Sequence, residues 1–445
     1  MELKLNNKRT ILIGFSFFTI LMLWQVYNYY CPLFLSELFT NTFGSSNSYL
    51  IGIIMALDNI LALIMLPIFG ALSDKTKTKL GKRMPYIIIG TAISLMAFPF
   101  IPFLFISNSI VGVSIMMALI LISMNIYRAP SVALMPDVTP KPLRAKANAI
   151  INFVGYVGAI IGSLLTMIFI KKIEGTDRIL ADTYLIWPFV ITSVFMVVAL
   201  VVLVLKIREN KIVAEMQEEM AIGEKMSETI EEVKDDTPLC RQDKINLWVL
   251  ICSVFLWYFS FNAIETFGST YAIKVLDTKS WGIATAILAI SSLVTFMPST
   301  ILTNKIGRKY SIMVGLLLMI ISMGLAIFLK SFGIWLIILM IIAGAGWAII
   351  NVNSYPMFVE LSSSKNVGKF TGYYYTASQI AQSITPIAIG FVFDWIGYKA
   401  YFPYATIFMT IALIVFSCIK VPKKGKESNK SVESTTKVED KTVEE

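Results

Sequence analysis

Long apolar stretches, each separated from the next by a short polar cluster, recur along this chain. A helix needs about 20 predominantly apolar residues to cross a hydrocarbon core roughly 30 Å thick. Stretches of that kind fall near residues 10–35, 49–72, 84–106, 110–134, 147–170 and 184–205. A second set falls near 245–272, 282–303, 310–329, 334–358, 370–393 and 401–420. They account for a composition in which 56% of the 445 residues are hydrophobic and 15% are charged, where a soluble domain has about 25% charged residues. The pattern predicts an all-α membrane protein, with twelve transmembrane helices in two pseudo-symmetric six-helix halves. The first stretch is expected to be a retained helix. Its apolar run is too long for a secretory signal, and no small-residue cleavage site follows before Cys31-Pro32.

Between the halves, residues 206–244 break the pattern with 11 acidic and 7 basic residues. They are expected to form a solvated, partly helical cytoplasmic linker. The expected divisions are therefore 1–205 for the N-terminal half, 206–244 for the linker, 245–420 for the C-terminal half and 421–445 for a charged, disordered tail. Basic residues set the orientation. With the N-terminus inside, 30 of the 38 Lys and Arg fall on the cytoplasmic face, 7 outside, and Arg128 within a span. Both termini are expected in the cytoplasm, with the chain a multi-pass monomer of the cell membrane. The net charge of +9 then records topology, and no nucleic-acid partner is expected.

Other chemistries are excluded by what the chain lacks. It has no histidine, which removes His-based metal sites and Ser-His-Asp or Cys-His nucleophile chemistry. Its four cysteines, Cys31, Cys240, Cys252 and Cys418, show no C-x-x-C spacing, so neither a zinc site nor a disulfide framework is indicated. No metal, no cofactor and no enzymatic activity is expected. A non-transporting sensor would need a folded signalling domain, and neither the linker nor the tail is large enough to hold one.

The two halves echo each other. After the second stretch stands GALSDKTKTKLGKR (Gly70 to Arg83), and after the eighth stands LTNKIGRK (Leu302 to Lys309). Asn304 falls where Asp74 does, and Gly307-Arg308-Lys309 falls where Gly81-Lys82-Arg83 does. A second echo sets MPDVTPKPLRAKANA, with Asp137 and Arg144, against FVELSSSKNVGKFTG, with Glu360 opposite Asp137. Corresponding spans and loops in two halves are the mark of a transporter built from repeats. A carboxylate at one helix end can engage the positive end of a neighbouring helix and its basic residues. Gly70, Asp74, Gly81, Lys82, Arg83, Asp137, Arg144, Asn304, Gly307 and Arg308 are thus candidates for a cytoplasmic gate that holds the halves together. Within GYVGAIIG, Gly158 and Gly162 have small-xxx-small spacing and predict a close helix approach.

Gly70-x-x-x-Asp74 with Gly81-Lys82-Arg83 resembles the loop 2–3 signature of the major facilitator superfamily. The stretch TKTKLGKRMPYIIIG (Thr76 to Gly90) resembles the sugar–cation symporter branch that includes melibiose carriers. MNIYRAPSVALMPDVTPKPLRAKANAI (Met124 to Ile150) resembles the sucrose-carrier branch. The resemblance implies the major facilitator fold and cation-coupled carriage of a sugar or glycoside. Melibiose-type carriers hold sodium on two carboxylates of the second helix, and the matching positions here are Ala62 and Leu66. That sodium site does not carry over.

Charged side chains within spans are expensive and by default functional. Here they are Asp58, Arg128 and Glu265. Asp58 lies one turn outward from Ala62, and a lone carboxylate there can load and release a proton, so Asp58 and Glu265 are the candidate proton-coupling residues. Arg128 either binds sugar hydroxyls as a forked donor or ties the helix end structurally. Sugar recognition needs hydroxyl partners and flat apolar faces. The candidates are Trp24, Gln25 and Asn28 in span 1, Asn125 and Tyr127 in span 4, and Tyr258 and Asn262 in span 7. Asn351 and Asn353 in span 10, with Gln379 and Gln382 in span 11, complete the set. The expected activity is proton-coupled symport of a disaccharide or glycoside. A sodium-coupled sugar carrier and a drug or metabolite exporter of the same fold are the alternatives.

Overall fold

The structure, a computed structural model, describes residues 3–171, 173, 176, 178–231, 241–360 and 367–420. The tail from 421 and residues 232–240 of the expected linker, with Cys240, lie outside the described residues. The first half comprises α1 (Asn7–Phe43), α2 (Ser48–Lys75), α3 (Met84–Ala97), α4 (Phe100–Ile106), α5 (Ile110–Asp137), α6 (Arg144–Ile168) and α7 (Trp187–Lys206). Two short helices follow, α8 (Glu209–Glu215) and α9 (Gln217–Glu231). The second half comprises α10 (Arg241–Lys274), α11 (Trp281–Ile306), α12 (Arg308–Ala326), α13 (Ile334–Glu360), α14 (Val367–Ile396) and α15 (Tyr401–Ser417).

Among the described residues, 11 helical stretches are long and apolar enough to cross a membrane by length and composition. Pro99 lacks an N–H and divides the third of them into α3 and α4. The remaining expected span, 370–393, is α14, which is 30 residues long but rich in hydroxyl and amide side chains. Those groups are satisfied close at hand. Thr385 Oγ1 donates to Ala381 O at 2.7 Å, Ser383 Oγ to Gln379 O at 2.8 Å and Gln382 Nε2 to Ser378 O at 3.2 Å. At 37 residues, α1 is about 55 Å long and projects beyond the hydrocarbon core.

We refer to the side carrying loops 76–83, 138–143 and 304–309 as the basic face. The segment expected to be solvated is partly docked on it. Ile207, Ile212 and Met216 are buried against Ile13, Met84 and Leu134 of the first half. Glu209, only 1% exposed, accepts hydrogen bonds from the backbone N–H of Lys82, Arg83 and Met84 at 3.0, 2.9 and 3.1 Å. It therefore caps α3, whose own N-cap position, Arg83, makes no side-chain capping bond. A hydrophobicity and charge scan misses this, because one carboxylate in an acidic stretch has found three orphan donors. Glu209→Ala is expected to cost about 1–2 kcal/mol, seen as a lower unfolding temperature in detergent, with Glu209→Gln losing less.

The halves meet along three helix pairs: α1 with α10, α2 with α14 and α6 with α11. Glycines permit the closest approaches. A Cβ at Gly52 would stand 2.1 Å from Pro386 O, and one at Gly282 would stand 2.1 Å from Ser163 O. Within the first half, Gly158 and Gly162 sit against Phe18 O and Met22 O of α1, the close approach that their spacing predicts. Hydrogen bonds between the halves cluster from the middle of the bundle to the face opposite the basic loops. Asn59 Nδ2 donates to Gln382 O at 3.2 Å, Ser269 Oγ to Tyr29 O at 2.7 Å and Tyr29 Oη to Lys279 O at 2.7 Å. At the basic ends of α2, α11 and α14, a Cβ built on Gly70, Gly307 or Gly372 would meet nothing within 4 Å. The molecule is closed on the opposite face.

Candidate functional site

Between the halves lies a cavity of about 300 Å³, walled by α1, α6, α10, α11 and α13. Trp24, Gln25 and Asn28 line it from α1, and Glu265 lines it from α10. Trp24 and Asn28 share a wall because they are four residues apart on one helix. Trp24 stacks on Tyr27 with centroids 5.5 Å apart and planes 4° from parallel, which fixes its indole face. Gln25 is oriented by Ser163, whose Oγ donates to Oε1 at 3.1 Å. Opposite, Trp347 stacks on Phe261 at 3.7 Å.

Several cavity residues lie outside the sequence-derived set: Asn152, Tyr156 and Ser163 on α6, Trp281 and Thr285 on α11, and Trp347 on α13. A single Trp or Ser within an apolar run carries no periodic signal to mark it. Among those on α6, Asn152 has the clearest, an amide inside a span.

The other candidates stand away from this wall. Tyr258 Oη donates to Asn351 Oδ1 at 3.2 Å and lies 3.2 Å from Tyr374 Oη, so Tyr258 and Asn351 satisfy each other. Asn353 accepts from Thr303 Oγ1 at 2.7 Å and donates to Ile349 O at 2.9 Å. Asn125 donates to Leu121 O at 2.9 Å, and Tyr127 is fully buried, with Gly90 leaving room for its ring. Asn262 is buried with Thr266 at 3.5 Å, and Gln379 accepts from Gln382 at 3.1 Å. For Asn353 and Gln382 the cost of an unpaired amide in hydrocarbon is met by a carbonyl one turn away, whereas Asn125 keeps its Oδ1 buried without a partner among the described residues.

The three intramembrane charges come from different helices: Asp58 from α2, Arg128 from α5 and Glu265 from α10. Asp58 is 3% exposed. Among the described residues none of the three makes a hydrogen bond or ion pair. The charge of Arg128 nevertheless acts on both carboxylates, and that of Asp58 acts on Glu265. Asp58 also acts on the phenol of Tyr27, which connects it to the stack under Trp24.

At the basic face, Arg83 is the hub of a network inside the first half. Its Nε donates to Asp137 Oδ2 at 2.7 Å and its Nη1 to Gly70 O at 3.3 Å, and it also bonds Asp74 and Ser73. Lys82 Nζ lies 3.1 Å from Asp137 Oδ2. Arg144 takes the carbonyls of Pro136 at 3.0 Å and Thr139 at 3.1 Å, closing the end of α5. In the second half, Arg308 pairs with Glu360, the counterpart of Lys82 with Asp137, whereas Lys309, at the place of Arg83, donates to Ser417 O and Ile419 O. Gly81 and Gly307 both have positive φ, 116° and 82°, which explains glycine at that place in both loops. Asn304 is exposed beside the second loop. These ion pairs lie within each half and do not join the halves.

Two like halves around one central cavity, with membrane-length helices throughout, are the construction of a secondary transporter. The chain belongs to the major facilitator superfamily, whose family model matches residues 13–296 and 277–442. Solved structures share the fold. The xylose transporter XylE from E. coli in its inward-open conformation is 16% identical with a TM-score of 0.66, covering 94% of this chain and 97% of that one. A variant of the nucleoside transporter NupG is 13% identical with a TM-score of 0.64, covering 92% and 100%. A bacterial homologue of the iron transporter ferroportin in an inward-facing state is 12% identical with a TM-score of 0.64, covering 93% and 99%. No curated protein matches the chain. The protein is a multi-pass membrane transporter of a small molecule, not an enzyme.

Proposed function

We propose that the protein carries a sugar, a disaccharide or glycoside, together with protons across the cytoplasmic membrane by alternating access. The basic face would be cytoplasmic, with both termini on it, as the distribution of Lys and Arg supports. The observation that carries the substrate is the cavity wall. Trp24 and Trp347 offer flat apolar faces for sugar rings, with Trp281 packed behind the wall, and Gln25, Asn28, Asn152, Ser163 and Thr285 offer hydrogen-bond partners for hydroxyls. The resemblance of Thr76 to Gly90 and of Met124 to Ile150 to sugar–cation symporters agrees with it.

Asp58 is the proton site in this reading. A buried carboxylate must be neutralised by a proton or paired with a cation, and Arg128 is the cation whose charge reaches it. With Asp58 proton-loaded, the charge of Arg128 would act on Glu265, at the cavity wall, alone, and so link the ion to the substrate. Asp74, Arg83 and Asp137, with Arg308 and Glu360, would set the cytoplasmic gate from within each half.

Uptake of labelled monosaccharides, disaccharides and glycosides into proteoliposomes, with and without an imposed pH or sodium gradient, tests the proposal. Saturable uptake of one sugar driven by the pH gradient is expected; uptake driven by sodium alone, or of no sugar at all, would overturn it. Trp24→Ala should weaken apparent affinity about tenfold, the scale of losing an aromatic anchor. One observation favours a drug exporter instead: aromatic rings around the single carboxylate Glu265 suit an organic cation. Thermal stabilisation by tetraphenylphosphonium but by no sugar would decide for that reading.

A further inference from the structure

The N-terminus of α2 has no cap of its own. Asn47 precedes it in the left-handed conformation, φ 43°, and its side chain makes no capping hydrogen bond. The first N–H groups of a helix lack intrahelical partners and carry the positive end of its dipole. Two of them are taken by the other half of the molecule. Ser48 N donates to Asp394 Oδ1 at 2.8 Å, and Tyr49 N donates to Asp394 Oδ2 at 2.9 Å. The hydroxyls of Ser48 and Tyr398 lie 2.9 Å apart beside them.

Two glycines allow α14 to deliver this carboxylate. A Cβ on Gly390 would stand 2.5 Å from Ser48 O, and one on Gly52 would stand 2.1 Å from Pro386 O. The spacing Gly390-x-x-x-Asp394 repeats Gly70-x-x-x-Asp74. α2 and α14 run antiparallel, since Ser48 meets Asp394 while Asn59 meets Gln382. Each helix therefore ends in a carboxylate, at opposite faces. Asp74 is held by Arg83 inside its own half, whereas Asp394 is engaged across the halves.

We propose that Asp394 is the latch that holds the face opposite the basic loops closed. Its carboxylate caps a helix of the other half, and the bond must break each time the cavity opens to that side. The proposal concerns the alternation of the carrier and is independent of which substrate or ion it moves.

Spin-label distances in the full chain, with its native cysteines replaced and reconstituted in lipid nanodiscs, test it. Labels at Thr42→Cys and Lys399→Cys report the opposite face, and labels at Lys77→Cys and Lys305→Cys report the basic face; all four positions are exposed. Asp394→Asn keeps the volume but removes the charge and one acceptor. It should raise the population open at the opposite face about tenfold, or about 1.4 kcal/mol, with a reciprocal shortening across the basic face. Asp394→Ala should shift both further; if that variant does not fold, Asp394→Asn decides alone. Asp182→Asn removes a carboxylate that pairs with Lys171 within the first half, and should leave both distributions unchanged. Wild-type distributions in Asp394→Asn, or a lowered unfolding temperature without opposed shifts at the two faces, would overturn the latch.

Discussion

Replacing Asp58 with asparagine is expected to abolish uphill accumulation of substrate in vesicles while leaving substrate exchange within several-fold of wild type. The side chains are nearly equal in volume, so α2 need not move. What changes is that an amide cannot load and release a proton. Asp58 is 3% exposed, and its surroundings supply no hydrogen bond among the described residues, only the charge of Arg128. With Asp58 neutral, Arg128 faces Glu265 alone, the arrangement proposed for the proton-loaded carrier. Exchange needs only that loaded form to alternate, whereas accumulation needs the proton to leave. Counterflow and pH-driven uptake, measured on the same proteoliposomes with the sugar found in the uptake panel, separate the two. Wild-type accumulation by Asp58→Asn would remove Asp58 from the coupling. Glu265→Gln should instead change apparent affinity as well, because Glu265 lines the cavity.

Arg83→Ala is the second large effect. The Arg83 side chain is 5% exposed, and its guanidinium ties Asp137, Asp74, Ser73 and Gly70 together. Removing one partner of a buried ion pair costs about 3–5 kcal/mol. The figure is lower here, about 2–3 kcal/mol, because Asp74 is mostly exposed and screened and Asp137 keeps Lys82. The expected readout is a lower unfolding temperature in detergent, with faster tryptic cleavage in the loop carrying Lys75, Lys77 and Lys79. Arg83→Lys should not restore either property. A single ammonium cannot span acceptors on three sides as the planar fork does. Wild-type stability in Arg83→Ala would show that Lys82 and Glu209 suffice to order the loop.

Much of the architecture is legible along the chain. Apolar runs mark the spans because transfer into hydrocarbon is counted residue by residue, and each spanning helix satisfies its own backbone. The same logic makes the paired loops readable. Gly81 and Gly307 must adopt positive φ, and an acidic helix end must meet a basic loop, so Lys82 with Asp137 and Arg308 with Glu360 recur at matched places. The intramembrane charges Asp58, Arg128 and Glu265 stand out for the cost of burying them.

Other features depend on which helix faces which, and no transfer scale contains that. Asn351 and Tyr258 look like ligands for a substrate, yet α10 and α13 bring them to each other. Trp281 and Trp347 are unremarkable within their runs, yet α11 and α13 bring them to the cavity that Trp24 lines. Glu209 reads as one more charge in a solvated stretch until it meets the open end of α3, and Asp394 reads as a helix-end carboxylate until it meets α2. Burial and backbone satisfaction are local properties and so survive in the order of the residues. The pairing of one half against the other joins positions hundreds of residues apart, and appears only when the helices are packed.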